Sequence, residues 1–303
     1  MARRALELTA AVLVLAMTLG PIAVVFLWAG GLSALAPGGG QALGFTRVQA
    51  VLSAGFSVLF AIPVARALAR RQFPGRGALV ALLGAPFILP VIVAVLGLIA
   101  TFGSNGFVNR ALGALGLPEI SIYGLHGVVI AHVFFNLPLA TRLILQGWLA
   151  VPSERLRLAA TLGLGPWATF RLIEVPLLIR IAPGVFAVIF VICLSSFAVA
   201  LTLGGGPRAT TIELAIYQAM RFDFDLGRAA TLSLIQLGLA LVAGVIALRV
   251  SAGPSFGVGL DRATRRWDSQ TAAARWADFV FIGLATLFLI TPLGFVVARG
   301  LPG

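Results

Sequence analysis

The sequence predicts an all-α polytopic membrane protein with about seven transmembrane helices. The 303 residues have a mean hydropathy of +1.05, 60% of them are hydrophobic and only 11% are charged. Soluble domains carry about 25% charged residues, so this composition excludes an ordinary soluble fold. Within a bilayer, backbone N–H and C=O groups have no water to bind, and apolar runs of spanning length therefore form helices.

Seven apolar stretches have the roughly 20 residues that a helix needs to cross a bilayer. The first follows Arg3 and Arg4. It exceeds the 7–15 residues of a signal-peptide core, which favours a retained helix. Pro86 and Pro90 lie inside the third stretch and predict a kink or a break there. The predicted spans are residues 6–28, 48–68, 78–102, 124–148, 181–203, 229–248 and 277–298.

The distribution of arginine predicts the orientation, because cytoplasmic loops carry an excess of basic residues. All 22 basic residues are arginine, and the net charge is +12. A soluble nucleic-acid binder would not be this apolar, so we expect no nucleic-acid partner. With the N-terminus in the cytoplasm, sixteen arginines fall on the cytoplasmic side and the seventh span ends outside. The outer set contains only six: Arg47, Arg110, Arg208, Arg221, Arg228 and Arg299.

The segment 153–183 is helical in pattern but too charged for the hydrocarbon, since a buried charge at the bilayer centre costs about 2.5–3.5 kcal/mol. Ser153 is a predicted N-cap and Glu154 suits the positive end of a helix dipole. Gly163 is placed to end this first helix, Pro166 to begin a second and Pro176 to stop it. The predicted apolar faces are Leu156, Ala159, Ala160 and Leu162 in the first helix, and Trp167, Phe170 and Ile173 in the second.

This segment resembles the EAA loop of type I ABC importer permeases, the binding-protein-dependent inner-membrane transport components. Gly163 and Pro176, thirteen residues apart, stand at the glycine and proline of that pattern. Trp167 and Phe170 occupy positions where the family often has similar residues. In the family, the loop forms coupling helices that lie in a groove of the ATP-hydrolysing subunit.

The glutamate of the EAA motif is absent. Counted back from Gly163, the triplet falls on Arg157-Leu158-Ala159, and Glu154 lies three residues earlier. The resemblance implies that the following residues couple the chain to an ATPase: Glu154, Arg157, Ala159, Ala160, Gly163, Trp167, Phe170 and Pro176.

A narrower resemblance lies in residues 201–220 and 223–236. Both stretches are similar to the thiamine/thiamine pyrophosphate permease branch, which is close to iron(III) and polyamine permeases. Two permease halves are fused in that branch, so this chain resembles one half and the start of another, and we expect it to be a fragment. The expected domains are a first helix with an outer loop (1–46), an ABC transmembrane type-1 domain (47–250), a cytoplasmic linker (251–276) and the first helix of a second half (277–303).

The resemblance implies an importer permease for thiamine or thiamine pyrophosphate in the bacterial inner membrane, surrounded by lipid. Its implied partners are an ATPase dimer that holds ATP and Mg²⁺, a periplasmic solute-binding protein and a second permease half, fused or separate. The chain carries no Walker, serine-hydrolase, zinc or dinucleotide motif, so we expect neither enzymatic activity nor a cofactor of its own. Iron(III) or polyamine permeases remain alternatives. An ion-coupled secondary transporter is a third, although no acidic residue lies deep in any predicted span.

His132 and Asn136 lie inside the fourth predicted span. Ionisable and polar residues within a membrane are candidates for a translocation path. For His132, a neutral ring hydrogen-bonded to a neighbouring helix is the alternative that we favour, and for Asn136 a kink with an interhelical hydrogen bond explains the residue equally well.

Four residues are predicted on the outer side, around the connection between spans five and six. Carboxylates beside an aromatic ring would suit a cationic ligand such as a thiazolium. A solvated loop that contacts the periplasmic binding protein is the alternative that we favour. The four residues are Glu213, Tyr217, Asp223 and Asp225.

Overall fold

The computed structural model describes residues 2–29, 38–206, 209–250 and 271–300, and the regular secondary structure of this part of the chain is entirely helical. The predicted linker lies outside the described residues except for its last six. The helices are α1 (Ala2–Trp28), α2 (Gly39–Arg70), α3 (Arg76–Leu82), α4 (Ala85–Ile88), α5 (Val91–Phe102), α6 (Phe107–Ala114), α7 (Leu125–Leu149), α8 (Ser153–Thr161), α9 (Pro166–Thr169), α10 (Val175–Leu194), α11 (Phe197–Leu203), α12 (Ile212–Arg221), α13 (Leu226–Val250) and α14 (Ala272–Gly300). A π-helical turn, Phe170–Glu174, joins α9 to α10.

The prediction of seven spans is confirmed in the described part of the chain. Seven of its helical stretches are long and apolar enough to cross a membrane. The second span begins earlier than predicted, at Gly39 instead of residue 48. The extra turns are ordered because Ala42 packs against α12 and Thr46 accepts a hydrogen bond from the Ile212 N–H, at 2.9 Å.

The third span is discontinuous, as its prolines predicted. Pro86 lies in the first turn of α4, and Pro90 is the N-cap of α5. A proline has no N–H to give to the preceding turn and clashes with the carbonyl four residues back. The stretch therefore divides into α3, α4 and α5, and the third stretch that is long and apolar enough to cross a membrane is Val91–Ala114 instead of the predicted 78–102.

The prediction that Pro176 ends the second short helix is wrong. The chain continues as helix through Leu194, and Pro176 lies in the first turn of α10. Because Pro176 lacks an N–H, the turn before it widens, and the Val175 N–H bonds to the Phe170 carbonyl five residues back. The predicted fifth span is instead interrupted at Ser195 and Ser196.

The core of the bundle is the contact of α2 with α7, and α10 packs against both. The buried face of α2 is a stripe of small side chains, which lets the two backbones approach closely. The buried residues of α7 include the small Ala131 and Ala140, and the ring of Phe134 packs edge-on against Phe288 of α14. The residues of the stripe are Ala50, Ser53, Ala54, Ser57, Ala61 and Ala65.

The bundle has two distinct ends. At one end, α2 carries Arg66 and Arg70 and is capped by Arg71, and these three arginines meet the π-helical turn and the start of α14. We call this the arginine-rich end. At the opposite end, the Gly124 N–H donates to the Leu203 carbonyl at 2.8 Å.

The last span, α14, packs on α5 and α2. It lies close against Gly97 of α5, where a Cβ atom would be 2.5 Å from the Pro292 carbonyl oxygen and 2.8 Å from a Val296 methyl. Only a residue without a side chain fits between these two backbones.

We expect Gly97→Ala to destabilise the bundle by about 1–3 kcal/mol, the usual cost of overpacking. Thermal unfolding in detergent measures the change. Gly238→Ala is the matched control, because a Cβ at Gly238 of α13 meets nothing within 4 Å. Equal melting temperatures for the two variants would contradict the proposed close approach.

Candidate functional site

The segment that resembles a coupling loop lies at the arginine-rich end and forms two short helices, α8 and α9. The N-cap of α8 is Pro152, so the prediction of Ser153 as the N-cap is wrong. Ser153 is already helical, and its hydroxyl donates to the Glu154 carboxylate at 3.3 Å instead of accepting from a backbone N–H. Glu154 lies in the first turn, as expected from the helix dipole.

Gly163 ends α8 in a left-handed conformation with φ +66°. Its N–H donates to the Ala160 carbonyl at 3.0 Å, and the Leu164 N–H donates to the Ala159 carbonyl at 3.0 Å. These two bonds form a Schellman motif, which satisfies the last carbonyls of the helix. The glycine elbow predicted from the sequence is therefore confirmed.

The predicted coupling residues differ in exposure. Ala159 is buried, and Ala160 and Phe170 are half-buried, so these three attach the segment to the bundle. The exposed members are Glu154, Arg157, Gly163, Trp167 and Pro176. The structure thus separates an anchoring face from a face that is available to a partner.

Three large apolar residues of this segment are exposed, and the sequence analysis had singled out only Leu162 among them. Leu158, Leu162 and Leu172 are each 60–66% exposed and accompany Trp167, which is 73% exposed. We call these four residues the apolar patch. The sequence prediction placed Leu162 on the packed face, but α8 ends at Thr161 and the glycine elbow turns this side chain outward. Exposed arginines border the patch at positions 155, 157 and 171.

Aromatic packing connects this segment to α2. The rings of Trp167 and Phe170 lie 5.7 Å apart, centroid to centroid. The guanidinium carbon of Arg66 lies 4.6 Å from the Phe170 ring centroid, within the range of a cation–π contact. Phe170 therefore links the exposed tryptophan to the core helix.

A buried ionic cluster lies directly beneath this contact. The Arg66 Nε donates to Glu174 Oε2 at 2.5 Å, and the Arg71 Nε donates to Asp278 Oδ2 at 2.7 Å. Arg70 lies between the two carboxylates, with nitrogens 3.8 Å from Glu174 and 4.0 Å from Asp278. We call these five residues the ionic cluster.

Glu174 and Asp278 are 1% and 6% exposed, so the described helices bury two carboxylates that the sequence did not single out. Glu174 was expected to precede the fifth span, but it belongs to the continuous helical stretch Pro166–Leu194. Removing one partner of a buried pair leaves an uncompensated charge and costs about 3–5 kcal/mol. Their partners lie 108 and 207 residues away in sequence, which no local pattern indicates.

His132 and Asn136 lie in the packed core between α2, α7 and α10. The His132 Nδ1 is 3.0 Å from the Ser53 hydroxyl. The Asn136 amide donates to the His132 carbonyl at 2.9 Å and lies 3.4 Å from the Cys193 sulfur. The contacts with Ser53 and Cys193 are the interhelical hydrogen bonds that the sequence analysis gave as the alternative for His132 and Asn136. A role for the two residues in a translocation path stays a prediction.

The four predicted outer residues do not form one cluster. Glu213 points inward from α12, toward the break at Ser195 and Ser196. Burial raises the pKa of the Glu213 carboxyl, and hydrogen bonds from Phe197, Ser195 and Ser196 partly offset this rise. Tyr217 packs edge-on against Phe197 with ring centroids 5.2 Å apart.

The other two carboxylates lie on an exposed corner between α12 and α13. Asp225 accepts a hydrogen bond from the Arg228 N–H at 2.9 Å and so caps the start of α13. Asp223 pairs with the Arg228 guanidinium at 3.3 Å. Phe224, between them, has a positive φ of 53° and is 78% exposed. This strained, exposed ring is a second feature that the sequence analysis missed.

The helical architecture is shared with solved transporter structures. The chain superposes with a TM-score of 0.65 and 17% identity on a bacterial ABC transporter involved in the import of the acidic polysaccharide alginate, covering 82% of this chain and 96% of that one. The bacterial alginate ABC transporter in complex with an alginate pentasaccharide-bound periplasmic protein gives a TM-score of 0.60 at 15% identity, with 83% and 94% covered. The fold is therefore that of an ABC importer permease, which confirms the predicted fold class.

Comparison with curated proteins shows which transport permeases the sequence is similar to. The chain is 46% identical over 260 residues to the thiamine transport system permease protein ThiP of Brucella abortus, covering 85% of this chain and 48% of that protein. It is 47% identical over 257 residues to ThiP of Escherichia coli, with 84% and 48% covered. No protein-family model matches. The chain is therefore similar in sequence to thiamine transport permeases, as the sequence predicted, and it spans about half the length of these relatives.

We expect Gly163→Ala to loosen the end of α8, because a left-handed residue with a Cβ costs about 1–2 kcal/mol. Hydrogen exchange at the amides of residues 163 and 164 should accelerate about tenfold. Gly165→Ala is the control, since Gly165 has an extended backbone at φ −66° and open space around its Cβ position. Unchanged exchange in Gly163→Ala would rule out the conformational requirement.

Stability should depend on pH through Glu213. A carboxyl with a raised pKa contributes stability below its unfolded pKa of about 4.3 and loses that contribution as the pH rises through its folded value. Glu213→Gln should therefore reduce the fall in melting temperature between pH 4 and pH 7. The exposed Glu119→Gln should keep the fall seen in the unmodified protein. If the melting temperature of Glu213→Gln fell as much as that of the unmodified protein, Glu213 would not be the source of the pH dependence.

Proposed function

We propose that the chain is a permease unit of an ATP-driven importer for thiamine or thiamine pyrophosphate in the bacterial inner membrane. The observation that carries this proposal is the identity of 46–47% to thiamine transport permeases over more than four-fifths of the chain. The importer fold and the exposed coupling segment are structural observations that support the same proposal.

We infer that the arginine-rich end faces the cytoplasm and that the N-terminus lies there too. The end of α2, the helices α8 and α9, and the start of α14 meet at this one end. Their arginines agree with the excess of basic residues in cytoplasmic loops. In this orientation the corner around Asp223 and Phe224 faces the periplasm, where it would contact a solute-binding protein.

The apolar patch supports a docking role for α8 and α9. Large exposed apolar residues bordered by charge are typical of a protein–protein contact. We infer that the patch, with Glu154 and Arg157 beside it, docks on an ATPase subunit that binds ATP and Mg²⁺. Gly163 and the Schellman motif hold α8 at a fixed angle, so that motion of the partner displaces the segment as a unit.

An importer of this class works with two permease halves. We propose that residues 47–250 form one transmembrane domain, that 251–276 link it to the next, and that α14 begins a second half. The second half supplies the other coupling segment, whether it is fused to this chain or separate.

Transport by the assembled importer tests the proposal. Uptake of labelled thiamine into proteoliposomes should require ATP and the binding protein, and unlabelled thiamine pyrophosphate should compete. Gly163→Asp should abolish uptake without affecting membrane insertion, because it adds both backbone strain and a charge at the docking face. Gly238→Ala, far from the segment, is the control.

Two outcomes would overturn parts of this proposal. Inhibition by iron(III) or polyamines, without inhibition by thiamine pyrophosphate, would show that the substrate is one of those transported by the neighbouring permease branches. Uptake driven by an ion gradient without ATP would place the chain among secondary transporters.

A further inference from the structure

The ionic cluster connects three elements that are far apart in sequence. Glu174 is the last residue of the π-helical turn, at the end of the coupling segment. Arg66 and Arg70 belong to the last two turns of α2, and Arg71 is the extended residue that caps its end. Asp278 lies in the second turn of α14. The ion pairs run in the order Arg66, Glu174, Arg70, Asp278 and Arg71.

Arg70 is the central member of this series. Its side chain is 4% exposed, and one terminal nitrogen faces Glu174 while the other faces Asp278. A guanidinium is planar and permanently charged, and its donors are fixed in a rigid fork. At these separations Arg70 attracts both carboxylates electrostatically, so a shift of one carboxylate changes the position that Arg70 favours beside the other.

Apolar contacts alone would allow these helices to slide, because such contacts have no direction. Charge-assisted hydrogen bonds in a dry environment are directional and strong. The bonds at Arg66 and Arg71 are of this kind, since their acceptor carboxylates are almost fully buried. They fix the register of the coupling segment against α2 and of α2 against α14.

We propose that Glu174 and Asp278 are positioning residues of the transport cycle, which transmit displacement of the coupling segment through Arg70 to α2 and α14. The proposal rests on the importer function proposed above. The cluster touches neither substrate nor nucleotide. It makes the segment, the core helix and the last helix move as one body when the ATPase closes.

Coupling efficiency tests the inference in the importer assembled from the full-length permease, its ATPase and its binding protein. In Glu174→Gln and Asp278→Asn, ATP hydrolysis should continue while thiamine transported per ATP falls by about tenfold, within the usual range of coupling between sites. Asp223→Asn is the matched control, because its ion pair with Arg228 is exposed and lies at the opposite end. An unchanged ratio in both cluster variants would overturn the inference, as would an equal fall in the control.

A distance measurement covers the case in which the cluster variants do not fold. The only cysteine of the chain, Cys193, is fully buried, so spin labels can be directed to new cysteines. Thr161 of α8 and Trp276 of α14 are both exposed, and neither belongs to the apolar patch. With the cluster intact, the distance between labels at Thr161→Cys and Trp276→Cys should stay constant between the nucleotide-free and ATP-bound importer. A change in that distance would show that the two elements move independently.

The two proposals fail separately. If the unmodified importer transports no thiamine, the substrate assignment is wrong, yet the label distance still reports whether the elements move together. If transport is normal but the distance changes with ATP, only the role of the cluster is wrong.

Discussion

Close packing of α2 on α7 is the constraint on which the rest of the bundle depends. Lipid offers no hydrophobic force to drive two apolar helices together, so their association rests on fit and on a few hydrogen bonds. The stripe of alanine and serine on α2 supplies the fit, and the Ser53–His132 contact supplies one of the bonds. Because α10, α5 and α14 pack around this pair, directly or through one another, its spacing determines where the coupling segment and the last span lie.

The length and apolarity of a span are local properties, and the sequence therefore predicted seven of them correctly. The same holds for the break at Pro86 and Pro90 and for the elbow at Gly163, since proline and glycine act on their own backbones. The continuity of the helix through Pro176 was missed, because a proline can also be accommodated by a wider turn. Choosing between a stop and a widened turn depends on what the flanking residues pack against.

Long-range pairing limited what the sequence could predict of the candidate site. The motif positions at Gly163 and Trp167 were found by spacing, but the apolar patch depends on which way each short helix faces. Glu174 and Asp278 looked like ordinary residues at the ends of spans. Their significance comes from the arginines of α2, and only the folded chain brings these charges together.

The π-helical turn determines how far α9 is rotated about the helix axis relative to α10. A wider turn holds more residues per revolution than the 3.6 of an α-helix. Over the five residues Phe170–Glu174, an unbroken α-helix would carry α9 about a quarter of a turn further round the axis. Trp167 would then face a different direction while Glu174 kept its place against Arg66. Through the widened turn, Pro176 thus determines the direction, around the helix axis, in which the exposed Trp167 side chain points.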